Sequence, residues 1–215
     1  MVTLELMRRQ PEYQRLVGER GWRRDLPVRS IRGSRITLLG TGDIGRETAI
    51  RFRAFGPKSI TGVNRRGRPS GDMFDAIRTL ADLDQVLEET DLLVMSLPGT
   101  RETRGLMNEA RLNRLPEDAF IVNVGRGTAI DQKALERCLR SGRFAGVALD
   151  VFEREPLSPE DTLWDCPRLL ITPHVAGNMT LGYTVDRIVR LFLEDFERYC
   201  QGQPLARRVE SEQGY

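Results

Sequence analysis

A glycine-rich hexapeptide near residue 40 has the residue types and spacing of a phosphate-binding turn. It contains Gly40-Thr41-Gly42-Asp43-Ile44-Gly45, follows the apolar run RITLL and opens a stretch with a helical pattern. In this context the first glycine permits a tight turn, the second lets the backbone approach a pyrophosphate, and the third allows close packing of helix on strand. The N–H groups at the helix start would face the phosphates. We predict dinucleotide binding, rather than a purely structural turn, by Gly40, Gly42, Asp43, Ile44 and Gly45.

The residues after the second predicted strand indicate which dinucleotide is bound. A site that prefers NAD usually has Asp or Glu there, whereas this chain has Asn64 followed by Arg65 and Arg66, with Arg68 close behind. A carboxylate would repel a 2′-phosphate, whereas an amide and guanidinium groups would bind it. The alternative is a solvated loop in an arginine-rich protein. We predict that Asn64, Arg65 and Arg66 favour NADP(H), with NAD(H) as the alternative cofactor.

Four ionisable residues near the ends of later apolar runs could carry acid–base chemistry. Arg126 lies between glycines in VNVGRG, Asp150 and Glu155 lie in ALDVFEREPL, and the only histidine, His174, lies in ITPHVAG. Ligands of open α/β sheets bind at the carboxyl ends of strands, so we expect these residues at one edge. Imidazole can exchange a proton near neutral pH, and guanidinium can hold a carboxylate through two hydrogen bonds. The alternatives are a structural histidine and a strand-end turn with solvated acids.

Apolar runs alternate with helical patterns along most of the chain, which predicts an α/β fold with a doubly wound parallel sheet of the Rossmann type. The last helix would carry an apolar face from Val185 to Phe196. Strands are expected at 35–40, 59–64, 75–80, 91–98, 119–125, 144–152 and 168–173, and helices at 3–20, 43–55, 82–89, 108–115, 131–142 and 178–201.

These segments resemble the D-2-hydroxyacid dehydrogenase family. The glycine motif, the run ending in Arg126, ALDVFEREPL and TPHVAG occur in the family's order, and SLPGTRETRGLMN (96–108) matches its cofactor-contacting segment. The resemblance implies an oxidoreductase that transfers a hydride between NAD(P) and a small 2-keto or 2-hydroxy acid. It implies that Arg126 binds the substrate carboxylate, that His174 is the general acid/base with Glu155 as its partner, and that Asp150 holds the nicotinamide carboxamide. Further cofactor contacts are expected at Leu97, Pro98, Thr103, Val124, Gly125, Arg126, His174, Ala176 and Gly177.

The same resemblance indicates the domain organisation and assembly. We expect an interdomain helix and dimerisation loop at 1–34, the dinucleotide-binding domain at 35–177, and an interdomain helix with a tail at 178–215. Family members normally begin with more of a substrate domain, so we expect impaired activity of this chain, and an inactive NAD(P)-binding or regulatory module is the alternative function. The resemblance also implies a homodimer with residues 3–30, including Trp22, at a two-fold interface.

The composition argues against several other classes of protein. A net charge of +2 is too small to indicate a binder of nucleic acid or of anionic membranes. The three cysteines, Cys138, Cys166 and Cys200, form no CxxC pair, so we expect neither a disulfide framework nor a metal site. A reducing, cytoplasmic location fits this cysteine usage. No apolar run is long enough to span a membrane.

Overall fold

The computed structural model describes residues 1–68, 71–177 and 179–208, which form two compact units. The first unit is residues 1–173, and the second begins at His174. The helices of the first unit are α1 (Val2–Met7), α2 (Gln10–Gly18), α3 (Asp43–Arg53), α4 (Leu83–Glu88), α5 (Glu109–Leu112) and α6 (Gln132–Arg140). Its strands are β1 (Arg35–Leu39), β2 (Ser59–Val63), β3 (Ala76–Arg78), β4 (Leu92–Met95), β5 (Phe120–Asn123), β6 (Gly146–Leu149) and β7 (Leu169–Ile171). The second unit contains α7 (Gly182–Cys200).

The seven strands form one parallel sheet in the order β3-β2-β1-β4-β5-β6-β7. The chain builds outward from β1 to β3 on one side and then crosses to β4 and builds outward to β7. This order confirms the predicted doubly wound fold. In such a sheet, ligands bind outside the carboxyl ends of the strands where the winding direction reverses, which here is between β1 and β4.

Helices cover both faces of the sheet. Leu92 and Leu93 are neighbours in β4 and are both fully buried, although successive strand residues point to opposite faces. One side of the sheet packs with Leu6 of α1 and Ala49 of α3, and the other with Leu87 of α4 and residues of α6. Burial on both sides explains why the strands are continuous apolar runs in the sequence.

The first predicted helix, residues 3–20, is wrong as a single element. The chain forms α1 and α2, separated at Arg9, whose φ of +54° is left-handed. Pro11 lies in the first turn of α2; it has no N–H, and its ring would clash with the carbonyl of Met7 in a continuous helix. That carbonyl accepts a hydrogen bond from Arg29 N instead, at 2.8 Å.

The predicted ends of several later elements also differ from the structure. Residues 96–98, 124–125 and 150–152 were expected in strands, but they follow β4, β5 and β6 as loops at the carboxyl edge. The last helix was expected from residue 178, and α7 begins at Gly182; Asn178 itself and residues 209–215 of the expected tail lie outside the described residues. On α7 the rings of Phe192 and Phe196 stack with centroids 6.0 Å apart.

Candidate functional site

The loop between β1 and α3 is tight at both ends and open in the middle. Gly40 has a φ of +104°, and a Cβ atom there would lie 2.9 Å from the Ser96 carbonyl oxygen. A Cβ atom at Gly45 would lie 2.1 Å from the Gly40 carbonyl oxygen, whereas one at Gly42 would meet nothing within 4 Å. The outer glycines therefore let the backbone close on itself, and Gly42 presents bare backbone at the start of α3, where N–H groups can bind an anion.

The two residues after Gly42 begin α3 with different chemistry. The Asp43 carboxylate pairs with Arg46, one turn along the helix. An acid in the first turn interacts favourably with the helix dipole. Ile44 is 55% exposed and places an apolar surface beside the glycine loop. Both residues therefore follow Gly42 directly in the first turn of α3.

The loop after β2 is fastened to the glycine loop by one side chain. Asn64 Nδ2 donates to Thr41 Oγ1 and to the Arg68 carbonyl oxygen, each at 3.0 Å, and Arg66 N donates to Asn64 Oδ1 at 3.0 Å. The residues Arg65, Arg66 and Arg68 are all exposed. Three guanidinium groups therefore belong to a loop whose base is attached to the glycine loop.

The segment after β4 folds onto the same edge. Ser96 Oγ donates to the carbonyl oxygen of the first loop glycine at 3.2 Å, and Thr103 Oγ1 donates to the Pro98 carbonyl oxygen at 2.7 Å. Leu97 is buried, and a Cβ atom at Gly125 would lie 2.6 Å from Leu97 N. The loops after β4 and β5 therefore contact each other through the backbone, and a side chain at Gly125 would separate them.

Arg126 lies in a turn whose shape depends on Asn123, the last residue of β5. Asn123 is 1% exposed; its Nδ2 donates to the Arg126 carbonyl oxygen at 3.0 Å, and its Oδ1 accepts from Gly125 N at 3.1 Å. Val124 N still pairs with the Met95 carbonyl oxygen, at 3.0 Å. The Arg126 side chain is exposed, with Nη1 donating to the Gly125 carbonyl oxygen at 2.8 Å. A guanidinium group thus stands on a well-held turn at the carboxyl edge.

Asp150 follows β6 and is oriented by a hydroxyl group. Its side chain is buried, and Thr172 Oγ1 donates to Asp150 Oδ1 at 2.6 Å. The Asp150 backbone N donates to the Asn123 carbonyl oxygen at 3.0 Å. A buried carboxylate with a short bond to a hydroxyl group has a defined direction.

The turn that contains Glu155 belongs to the same group of loops. A Cβ atom at Gly127 would lie 2.0 Å from the Phe152 carbonyl carbon, so a side chain at this position would displace the backbone. Glu155 Oε1 accepts a hydrogen bond from Phe152 N at 2.9 Å, and Glu155 is exposed. The first unit therefore brings Arg126, Asp150 and Glu155 onto adjacent loops.

His174, Ala176 and Gly177 belong to the second unit, which His174 opens. All three are exposed. His174 has a φ of +52°, in the left-handed region that few non-glycine residues adopt. Such conformations concentrate at functional sites.

Residues 1–176 match the family described as D-isomer specific 2-hydroxyacid dehydrogenase, NAD binding domain. The matched segment includes the glycine loop, the turns with Arg126 and Glu155, and His174. The chain belongs to the D-isomer specific 2-hydroxyacid dehydrogenase family. This membership confirms the resemblance found in the sequence, and with it the expectation of a nicotinamide dinucleotide as cofactor.

Named relatives within the family include reductases. The glyoxylate/hydroxypyruvate reductase A of Klebsiella pneumoniae (strain 342) is 32% identical over 216 residues, which cover 99% of this chain and 66% of that protein. The chain thus spans just under two thirds of this curated relative.

Two solved structures of the family resemble the chain along its whole length. One is a D-isomer specific 2-hydroxyacid dehydrogenase from Xanthobacter autotrophicus Py2 in complex with NADPH and MES, with 34% identity and a TM-score of 0.84 over 99% of this chain and 85% of that one. The other is an NADPH-dependent glyoxylate/hydroxypyruvate reductase from Sinorhizobium meliloti in complex with NADP and sulfate, with 33% identity and a TM-score of 0.86 over 100% of this chain and 67% of that one.

Two residues of this family member that shape the site escaped the sequence analysis. Asn123 holds the Arg126 turn, and Thr172 orients Asp150. Each is a polar residue at the end of an apolar run, Asn123 in FIVN and Thr172 in LLIT. A polar group at the carboxyl end of a buried parallel strand is a usable signal, since it must find a hydrogen-bond partner in the edge loops.

Other chemistry receives no support from the described part of the chain. Among residues 1–68, 71–177 and 179–208, no group of three or more His, Cys, Asp or Glu residues could hold a metal ion. Cys138 and Cys166 are buried, and burial raises the pKa of both thiols, which disfavours the reactive thiolate. Within the same ranges, no helix has the length and apolar character needed to cross a membrane.

Proposed function

We propose that the chain binds NADP(H) and transfers a hydride between this cofactor and a small 2-keto or 2-hydroxy acid. The observation that carries the proposal is the combination, at one sheet edge, of the open Gly42 backbone, the exposed Arg126 guanidinium and the oriented Asp150 carboxylate. The reductases among the relatives support glyoxylate- and hydroxypyruvate-like acids as substrates.

The glycine loop fits the pyrophosphate of a dinucleotide. A Cβ atom at Gly42 would have open space around it, so a phosphate can approach the backbone and the start of α3. Ile44 and Leu97 would contact the cofactor from either side of this loop. Asp150 would accept a hydrogen bond from the nicotinamide carboxamide, since Thr172 holds the carboxylate in one direction. The remaining contacts stay predictions from the sequence: Pro98, Thr103, Val124, Gly125, Ala176 and Gly177.

A preference for NADP(H) is supported by the exposed arginines after β2. Guanidinium groups bind phosphate through paired hydrogen bonds. The Arg66 side chain makes no hydrogen bond or ion pair with residues 1–68, 71–177 or 179–208, so binding a phosphate would break no internal bond of that group. The Xanthobacter and Sinorhizobium structures contain NADPH and NADP, respectively.

In the reduction, different residues would bind the substrate and transfer the proton. When bound, the reduced nicotinamide supplies a hydride to the carbonyl carbon. Arg126 would hold the substrate carboxylate with two hydrogen bonds and so orient the neighbouring carbonyl. By the family resemblance, His174 would donate a proton to the carbonyl oxygen, so that C=O becomes C–OH, with Glu155 stabilising the imidazolium. In the oxidative direction the imidazole would take this proton back.

Oxidation of NADPH in the presence of glyoxylate or hydroxypyruvate tests the proposal. We expect oxidation that depends on the acid and that His174→Ala removes, while the affinity for NADPH stays within about twofold. Arg126→Lys should raise KM about tenfold, because a lysine cannot make the paired contact with a carboxylate. Tight NADPH binding with no turnover of either acid would support a nucleotide-binding module instead. Failure to bind either dinucleotide would refute the proposal.

We also infer that the chain forms a homodimer through the amino edge of its sheet. Trp22 is 85% exposed on the extended segment after α2. Further along the same segment, Pro27 lines a cleft of about 730 Å³, together with Leu6, Met7 and Phe144. A protruding aromatic residue and a partly apolar cleft suit a two-fold interface, since each copy then supplies both.

A further inference from the structure

Asn64 uses the donors of its carboxamide within the protein. One Nδ2 hydrogen is directed to Thr41 Oγ1 and the other to the Arg68 carbonyl oxygen, both at 3.0 Å, while Oδ1 accepts from Arg66 N at 3.0 Å. A carboxamide has only two N–H donors. A bound 2′-phosphate could therefore receive a hydrogen bond from Asn64 only if one of these internal bonds broke. This gives Asn64 a different task from the direct contact expected from the sequence.

Through the three bonds of Asn64, the loop 65–68 is joined to Thr41. Thr41 is buried, and its methyl carbon would lie 2.6 Å from a Cβ atom at Gly62, so it is packed tightly on β2. Arg66 N and the Arg68 carbonyl both return to the same amide, which closes the turn between them. The base of the turn is held from the other side by Asn64 N, which donates to the Arg78 carbonyl oxygen of β3 at 3.0 Å.

We propose that Asn64 is a positioning residue that latches the loop 65–68 to Thr41 and so holds its guanidinium groups where a 2′-phosphate binds. The proposal rests on the proposed NADP(H) function. A loop that is ordered before binding loses less conformational entropy when the phosphate arrives. Because NADH has no 2′-phosphate, the latch should strengthen binding of NADPH and leave that of NADH nearly unchanged.

Four variants distinguish the effect of the Asn64 hydrogen bonds from the effects of other changes. Asn64→Ala removes all three bonds, and Thr41→Val removes one acceptor while it keeps the branched shape against Gly62. Thr41→Ser restores the hydroxyl group and is the conservative partner of that variant. Asn113→Ala, at an exposed position after α5, is the matched control for loss of a carboxamide. Fluorescence titration gives Kd for NADPH and NADH, and hydrogen exchange measures protection of the Arg66 amide without cofactor.

The ratio of the two affinities is the decisive quantity. Asn64→Ala should reduce the NADPH preference about tenfold and Thr41→Val about threefold, whereas Thr41→Ser and Asn113→Ala should keep it. Exchange of the Arg66 amide should accelerate in Asn64→Ala. Equal wild-type affinities for the two cofactors would refute the proposed preference before any variant is made. A wild-type preference that survives in Asn64→Ala would refute the latch alone, and a lost preference with unchanged exchange would indicate direct contact instead of positioning.

Discussion

At the amino edge of the sheet, acidic residues that precede strands are paired with arginines, whereas at the carboxyl edge polar residues that follow strands hold backbone turns. Asp91, just before β4, accepts hydrogen bonds from Arg35 N at 2.7 Å, Nε at 3.1 Å and Nη2 at 2.8 Å. Asp75, just before β3, pairs with Arg53 at 2.8 Å and accepts from Ile60 N at 2.7 Å. These charges are used to complete the fold.

The carboxyl edge uses its polar side chains to arrange other groups. Asn64 and Asn123 bond to the backbone of the loops that carry Arg66 and Arg126, and leave those guanidinium groups exposed. The glycine loop at the same edge presents unobstructed backbone at Gly42. The number of arginines therefore does not identify a binding site. A binding site is indicated instead by arginines whose backbone is held by hydrogen bonds while their guanidinium groups remain exposed.

Two glycines of the same loop should respond very differently to replacement by alanine. Gly45→Ala would place Cβ 2.1 Å from the Gly40 carbonyl oxygen. We therefore expect the free energy of unfolding to fall by about 3 kcal/mol and cofactor binding to be lost. Gly42→Ala meets nothing within 4 Å and should keep the wild-type Tm, yet weaken NADPH about tenfold because the methyl group obstructs the phosphate. Gly18→Ala, also unobstructed, is the control for both measurements. Wild-type affinity in Gly42→Ala would show that the phosphate does not bind this backbone.

The second prediction concerns assembly at the amino edge. Light scattering should give twice the mass of one chain at micromolar concentration, and Trp22→Ser should shift it to one chain. Loss of a central interface aromatic costs about 2 kcal/mol or more, a roughly thirtyfold weaker dimer. Trp164→Ser is the control, because that half-exposed ring lies in a short 3₁₀ helix before β7, where its Nε1 donates to the Ser158 carbonyl oxygen at 2.8 Å. A monomeric wild-type chain would contradict the inferred dimer.

The third prediction tests whether the amino-edge charges are structural. Burial disfavours the Asp91 carboxylate, but the hydrogen bonds and charge of Arg35 outweigh it, so the pKa of Asp91 lies below its ordinary value of 3.8. The unfolded chain therefore takes up this proton first on acidification. The stabilisation is complete above the ordinary value and declines as the pH falls from there through the folded-state pKa.

Asp91→Asn should lower the free energy of unfolding at neutral pH by about 1–2 kcal/mol, measured by denaturant unfolding. The effect is no larger because the pair with Arg35 is partly exposed and solvent weakens it. The affinity for NADPH should not change. Glu47→Gln, which breaks an exposed pair with Arg51 on α3, should leave stability near wild type. If the two variants behaved alike, the amino-edge pair would be an ordinary surface contact.

The sequence predicted the sheet well because its signals are local. Buried strands such as LLVM have both faces covered and therefore read as continuous apolar runs, and Gly40 to Gly45 mark the first turn. The failure at residues 3–20 has an equally local cause, since Pro11 was visible in the sequence and was given too little weight against the amphipathic pattern.

The side-chain contacts of the site could not be read in the same way. The bond between Thr172 and Asp150 joins residues that are 22 apart, and the bond between Asn64 and Thr41 joins residues that are 23 apart. Both depend on the strand order, which brings the ends of separate strands together. Sequence periodicity identifies each strand but does not place one beside another.

Loss of the Thr172 hydroxyl group should have a smaller effect than these changes, at the proposed contact between Asp150 and the nicotinamide. Thr172→Val keeps the shape of the side chain but removes the hydroxyl group that donates to Asp150 Oδ1 at 2.6 Å. If Asp150 holds the nicotinamide carboxamide, its carboxylate loses its fixed direction, and NADPH should bind about fivefold more weakly. The 2′-phosphate derivative of ADP-ribose lacks nicotinamide and should bind as it does to wild type, and Thr172→Ser should restore NADPH affinity. If the affinity for both ligands fell equally, Thr172 would support the loop as a whole. Unchanged NADPH affinity would contradict the proposed contact between Asp150 and the nicotinamide.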